Sequence, residues 1–209
     1  MLDPIDRVSE VLFGLIMVLT FTGSLSVIEA GRAEVREMLI GALGCNLAWG
    51  IIDGIMYLMG CLADKGRELF TVRAVRETAD PKQARRYLAE ALPPSIASAT
   101  EPAELDAIRG RLALMPALPS RPRLAREDWL GALGVLILVF LSTFPVVVPF
   151  LFMRDAPTAL RVSNAVATFM LFLTGYAFGR CAGHRPWLVG LVMVIVGGVL
   201  VSMTIVLGG

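Results

Sequence analysis

Five long apolar runs dominate the chain, at about residues 11 to 29, 38 to 60, 129 to 153, 159 to 179 and 186 to 208. Each approaches or meets the roughly 20 residues a helix needs to cross a hydrocarbon core about 30 Å thick. The apolar positions are continuous rather than alternating, and in lipid only helices and closed barrels satisfy their own backbone. The pattern predicts an all-α integral membrane protein of five transmembrane helices, with a helical insertion between the second and third. Three parts follow: residues 1–60 with the first two spans, 61–127 as a cytoplasmic insertion, and 128–209 with the last three spans.

The polar interval has helical patterns of its own. In "GRELFTVRAVRETA", Leu69, Phe70, Val72 and Val75 cluster at helical spacing, so the second span is expected to run on into the cytoplasm. "DPKQARRYLAEAL" predicts a helix with Asp80 as N-cap and Pro81 at N1, stopped by Pro93 and Pro94. Another is expected from Thr100, with Pro102 and Glu104 in its first turn, ending before Pro116.

Composition agrees with a membrane protein: of 209 residues, 56% are hydrophobic and 18% charged, with a mean hydropathy of +0.71. The formal net charge of +1 hides a segregated pattern, because twelve of the 19 Lys and Arg lie between Cys61 and Glu127. A cytoplasmic N-terminus puts 15 basic residues inside, including Arg7, Arg180 and Arg185, and 4 outside: Arg32, Arg36, Arg154 and Arg161. The positive-inside rule therefore predicts an external C-terminus.

"MLDPIDRVSE" has no basic n-region, which argues against a cleaved signal peptide. Cys45, Cys61 and Cys181 lack the spacing of a disulfide framework or a zinc site. Arg121, Arg123 and Arg126, followed by Trp129, suit anionic lipid headgroups rather than nucleic acid.

Within this background Asp53 stands out, a carboxylate near the middle of "GCNLAWGIIDGIMYLMG". An ionisable group in a span costs a few kcal/mol and normally faces protein or a hydrated path. On a helical wheel Asn46, Gly50, Asp53, Tyr57 and Gly60 share one side, a stripe able to line a cation path; the alternative for Asp53 is a hydrogen bond to a Ser or Thr of a neighbouring helix, or protonation on burial. Gly50 and Gly54 form a GxxxG for close helix packing, within one subunit or between two.

The first span carries Thr20, Thr22, Ser24 and Ser26, with Glu10 at its inner mouth and Glu29 at its outer one. Such hydroxyls commonly bond their own helix backbone. Met17 and Met56 are soft thioethers that either contact a metal or fill packing gaps. Pro145 and Pro149 in "STFPVVVPF" each lack an N–H, which predicts a kink or unwinding of the third span. In the insertion, Glu68 and the i, i+3 pair Glu101 and Glu104 are candidate metal carboxylates, although acids at a helix start also simply favour the dipole.

The order of parts resembles the vacuolar iron transporter family: "DRVSEVLFGL", two spans, a long charged helical insertion, then three spans with "LSTFPVVVPFLF". The resemblance covers nearly the whole chain in layout. It implies a five-span homodimer that moves ferrous iron or manganese out of the cytoplasm in exchange for protons, with a glutamate-rich metal-collecting insertion. Against the family's FGxxDG pattern, "FGLIMV" places Met17 where the acid stands, and the insertion here is dominated by Arg. "GIIDG" in the second span is similar to that pattern, so Asp53 is expected to supply the acid from a neighbouring helix.

The reading that follows is a divalent-metal exporter in a bacterial inner membrane. Its expected path residues are Asp53, Asn46, Met17, Met56 and Glu10, the metal is substrate, and no cofactor is covalently bound. The competing reading is a non-transporting scaffold or regulatory relative whose Arg-rich cytoplasmic helices bind lipid or a partner protein. An enzyme is not expected, since there is one histidine, no clustered nucleophile and base, and no Gly-rich phosphate loop.

Overall fold

The computed structural model describes residues 4–23, 32–153 and 155–206, and all regular structure among them is helical. Ser24, Ser26, Glu29 and Arg154 lie outside the described residues, as do the side chains of Arg7, Thr20, Thr22 and Arg32. The helices are α1 (Pro4–Gly23), α2 (Arg32–Glu77), α3 (Pro81–Ala91), α4 (Pro94–Ala99), α5 (Pro102–Leu114), α6 (Arg126–Ser142), α7 (Phe144–Phe152), α8 (Ala156–Cys181) and α9 (Pro186–Val206). They fall into two compact units, one from residues 1–57 with 129–209 and one from 58–128.

Among the described residues, three stretches are long and apolar enough to cross a membrane: Val35–Glu77, Arg126–Phe152 and Ala156–Cys181. Val8–Leu19 and Pro186–Leu200 are shorter apolar helices within the described residues. The first unit is organised around a cluster of Leu15, Val18 and Leu19 from α1, Val146 from α7, and Ala167 and Leu171 from α8.

Glycines set the closest approaches in this unit. A Cβ added to Gly50 or Gly54 would lie 3.1 Å from the carbonyl oxygens of Leu136 and Ala132, so the α2 GxxxG packs on α6 of the same chain. Between α8 and α9, a Cβ on Gly175 would come within 2.9 Å of Gly190 Cα, and one on Gly190 within 2.9 Å of Phe172 O. The turn joining these two helices needs Gly183, whose φ is +69°. The His184 N–H reaches back to Gly179 O at 2.9 Å, a Schellman closure, and Pro186 then starts α9.

The third span is interrupted where the two prolines predict it. Pro145 has no N–H for Leu141 O and its ring crowds that turn, so α6 ends at Ser142 and α7 begins at Phe144. Thr143 keeps helical dihedrals (φ −69°, ψ −36°) and its N–H bonds Phe140 O at 3.3 Å. The interruption is therefore a kink closed by a tight i to i−3 bond, not a reversal.

In the second unit, Val75 of α2, Ala84 and Leu88 of α3 and Leu105 of α5 form the core. Helix α2 continues unbroken to Glu77, and Asp80 caps α3 through Lys82 N at 2.9 Å. Two local expectations change and one is extended. Phe70 is 69% exposed and outside the cluster, because it lies one position off the stripe formed by Leu69, Val72 and Val75. Helix α3 stops before Pro93 and Pro94 as expected, and Pro94 in addition starts the short helix α4, since proline at N1 opens a helix as readily as it stops one. The N-cap of α5 is Glu101, not Thr100, because Glu101 and Glu104 close a reciprocal capping box.

Two outcomes test this packing. Gly175→Val should separate α8 from α9 and lower stability by about 1–3 kcal/mol, measured as the loss of unfolding free energy in detergent. Asp155 caps α8, accepting from the Thr158 hydroxyl and from Thr158 N at 2.9 Å. The hydroxyl first, then the N–H, hold its carboxyl below the usual carboxylate range. A depressed folded pKa stabilises above the unfolded value of about 3.9 and is lost as pH falls through the folded one. The stability difference between wild type and Asp155→Ala should accordingly be full at neutral pH and vanish in acid below that value.

Candidate transmembrane polar site

The first unit holds five buried polar side chains among its described residues: Asn46, Ser142, Thr143, Ser163 and Thr174. Three of them converge at the α6–α7 kink. Asn46, 1% exposed on α2, donates through Nδ2 to Gly14 O on α1 at 3.2 Å and to Thr143 Oγ1 at 2.8 Å. The Thr143 hydroxyl donates in turn to Phe140 O at 2.7 Å, and the Ser142 hydroxyl donates to Val139 O at 2.7 Å. From α8, Ser163 Oγ donates to Val146 O at 2.7 Å, tying that helix to α7 just beyond the kink.

Gly14 is required for this convergence. A Cβ there would collide with the Ser142 hydroxyl and lie 2.7 Å from Val139 O, so only glycine lets α1 come close enough for its carbonyl to meet Asn46. The Phe13 ring packs edge-on against Trp49 with centroids 5.5 Å apart, fixing the same crossing of α1 on α2.

Asp53 lies two turns along α2 from Asn46, roughly 10 Å at 1.5 Å per residue. It is half-buried and makes no hydrogen bond or ion pair among the described residues. Its neighbours on the helix are in contact with α6: Gly54 lies on Ala132, and the Tyr57 ring covers Gly131. The stripe thus divides into a buried end at Asn46, a glycine contact at Gly50 and Gly54, and a half-buried carboxylate at its flank. Gly60, at the far end, is exposed with no neighbour within 4 Å of an added Cβ. Met17 and Glu10 are half-buried on α1, whereas Met56 is 61% exposed on α2.

In the second unit, Glu101 and Glu104 are joined by their capping box, in which Glu101 N donates to Glu104 Oε2 at 2.8 Å. Glu68 is exposed on α2 and lines a cavity of about 920 Å³ with Arg67, Tyr87 and Glu90. No cluster of three His, Cys, Asp or Glu suited to a metal occurs among the described residues.

Several arginines of this unit are used to cap backbone carbonyls. Arg76 Nε donates to Leu112 O at 2.8 Å, and its other nitrogens reach Met115 O and Pro116 O. Arg109 reaches Thr78 O at 3.1 Å. Arg85 pairs with Asp106 at 2.8 Å, and that hydrogen bond raises the guanidinium pKa further.

The sequence pointed to the kink, and to Asn46 as a path-lining group, but not to the bonds of Asn46 to Gly14 and Thr143 or to the place of Ser142 beside them. The available signal was two adjacent hydroxyls, three and two residues before Pro145, in an otherwise apolar run.

The VIT family model matches residues 67–209, more than half of the chain, beginning beyond Asn46 and Asp53. No curated protein matches the chain.

Removing the Asn46 amide deletes its two buried hydrogen bonds, to Gly14 O and to Thr143 Oγ1. Asn46→Ala should cost about 0.5–1.5 kcal/mol for each bond lost, read as a lower unfolding free energy in detergent, while Ser202→Ala, an exposed hydroxyl bonded to its own helix at Gly198 O, should cost little.

Proposed function

Because the chain belongs to the vacuolar iron transporter (VIT) family, we propose that it is an integral membrane transporter exporting a divalent metal ion, iron or manganese, from the cytoplasm in exchange for protons. The observation that carries this reading is Asp53, a half-buried carboxylate within the apolar part of α2 that no neighbouring side chain neutralises among the described residues. A charge left in that setting is best accounted for by a cationic substrate.

On this reading Asp53 supplies the negative charge that offsets dehydration of the ion. Asn46 lines the same helix, Met17 and Met56 offer soft contacts, and Glu10 stands at the cytoplasmic mouth. Glu68 collects metal in the insertion. Capture at Glu101 and Glu104 competes with the capping box they close. The working unit is a homodimer of five-span chains in a bacterial inner membrane, with the N-terminus cytoplasmic and the C-terminus external. The 15 to 4 division of basic residues supports that orientation.

A scaffold or regulatory role is the second reading. Met17 in place of a first-span acid favours it, as does the commitment of Glu101 and Glu104 to each other.

Uptake of manganese or ferrous iron into proteoliposomes separates the two. Wild type should transport, and Asp53→Asn, which keeps the side-chain size and removes the charge, should lower the initial rate at least about tenfold, equivalent to 1.4 kcal/mol. An unchanged rate removes the assignment of Asp53. Absence of uptake by correctly reconstituted wild type supports the scaffold.

A further inference from the structure

The α6–α7 kink has an unused ligand. Gly14 O can only accept, so the Nδ2 edge of Asn46 must face it, and the amide orientation is fixed by its surroundings. Oδ1 is therefore directed away from Gly14 O, and there it meets no donor among the described residues. A fully buried amide oxygen in that state calls for a partner.

The oxygens that the structure brings together here, from Asn46, Ser142 and Thr143, are neutral. Thr143 Oγ1 accepts from Asn46 and donates to Phe140 O, which leaves it one lone pair. Ser142 Oγ donates to Val139 O and keeps lone pairs of its own. Helix α6 ends here, at Ser142. Pro145 cannot donate to Leu141 O, which frees one more carbonyl of that last turn.

We propose that the α6–α7 kink binds a small hard monovalent cation, sodium, with Asn46 Oδ1 as a direct ligand and the Ser142 and Thr143 hydroxyl oxygens beside it. Three considerations select this ion. The cost of dehydrating an ion rises with the square of its charge, and no carboxylate belongs to the cluster to offset that cost for a divalent ion. Thioethers and imidazoles are absent from the cluster, which disfavours softer metals. Carbonyls freed at an interrupted helix, beside a carboxamide and hydroxyls, match the oxygen sets that hold sodium in proteins with broken spans. The site is separated from Asp53 by two turns of α2 and does not rest on metal transport through Asp53.

Thermal unfolding of the full chain in neutral-lipid nanodiscs provides the test, with sodium chloride exchanged for choline chloride at constant ionic strength and no divalent metal present. The wild-type midpoint should rise saturably with sodium. Ser142→Ala loses only a hydroxyl bonded to its own helix, so it should fold and shift half-saturation to sodium concentrations higher by about tenfold, the loss of one ligand. Asn46→Leu should show no sodium response. A wild-type midpoint that is equal in the two salts overturns the proposal whether or not Asn46→Leu folds, and so does a response of wild-type size and affinity in Ser142→Ala.

Discussion

Wherever a helix is interrupted in apolar surroundings, its backbone must find partners from outside its own ladder, and the α6–α7 kink is where that requirement falls hardest. Two of the partners come from the kink itself, where Ser142 and Thr143 turn their hydroxyl protons onto Val139 O and Phe140 O. Asn46 then joins the repaired kink to α1 through Gly14 O. One amide thus ties α1, α2 and the broken third span together, and Gly14 is glycine because the same spot has room for nothing larger.

The second unit meets the corresponding problem with charge rather than with amide and hydroxyl groups. Its carbonyls at the end of α5 and in the following loop are held by Arg76 and Arg73 from α2. Guanidinium groups suit this task in water, where their hydration is not lost, and would be costly in lipid. The Arg excess of residues 61–127, conspicuous in the sequence as a charge pattern, is in good part the means by which a small core of Val75, Ala84, Leu88 and Leu105 is closed. Arg73, Arg76 and Arg109 are thereby accounted for without an anionic partner.

What could be read from the sequence was whatever depends on neighbours along the chain. Three of the long apolar helices, the run of α2 past the apolar region, the Asp80 cap and the proline kink are local in origin and emerge where expected. What could not be read depends on partners distant in the chain. Nothing near Thr143 announces that Asn46, 97 residues earlier, will bond it. Nothing in "EPAE" alone decides between a metal pair and a capping box. Phe70 was placed one position too close to the core because a helical stripe is narrower than the cluster of apolar letters that suggests it. The VIT family match through residue 209 agrees with the resemblance drawn from layout, although that layout was read from the whole chain and the match begins at residue 67.

The α8–α9 hairpin bears on biogenesis. Its two helices are consecutive, its turn is closed by Gly183, and its glycine contact at Gly175 and Gly190 needs nothing from the rest of the chain. Such a pair is able to assemble as soon as it leaves the insertion machinery. The Asn46–Thr143 bond, by contrast, cannot form until the whole intervening segment has been synthesised and the third span has entered the bilayer. Until then α2 must wait in lipid with a carboxamide and a carboxylate uncovered, which makes it the span whose insertion most depends on the arrival of a later one.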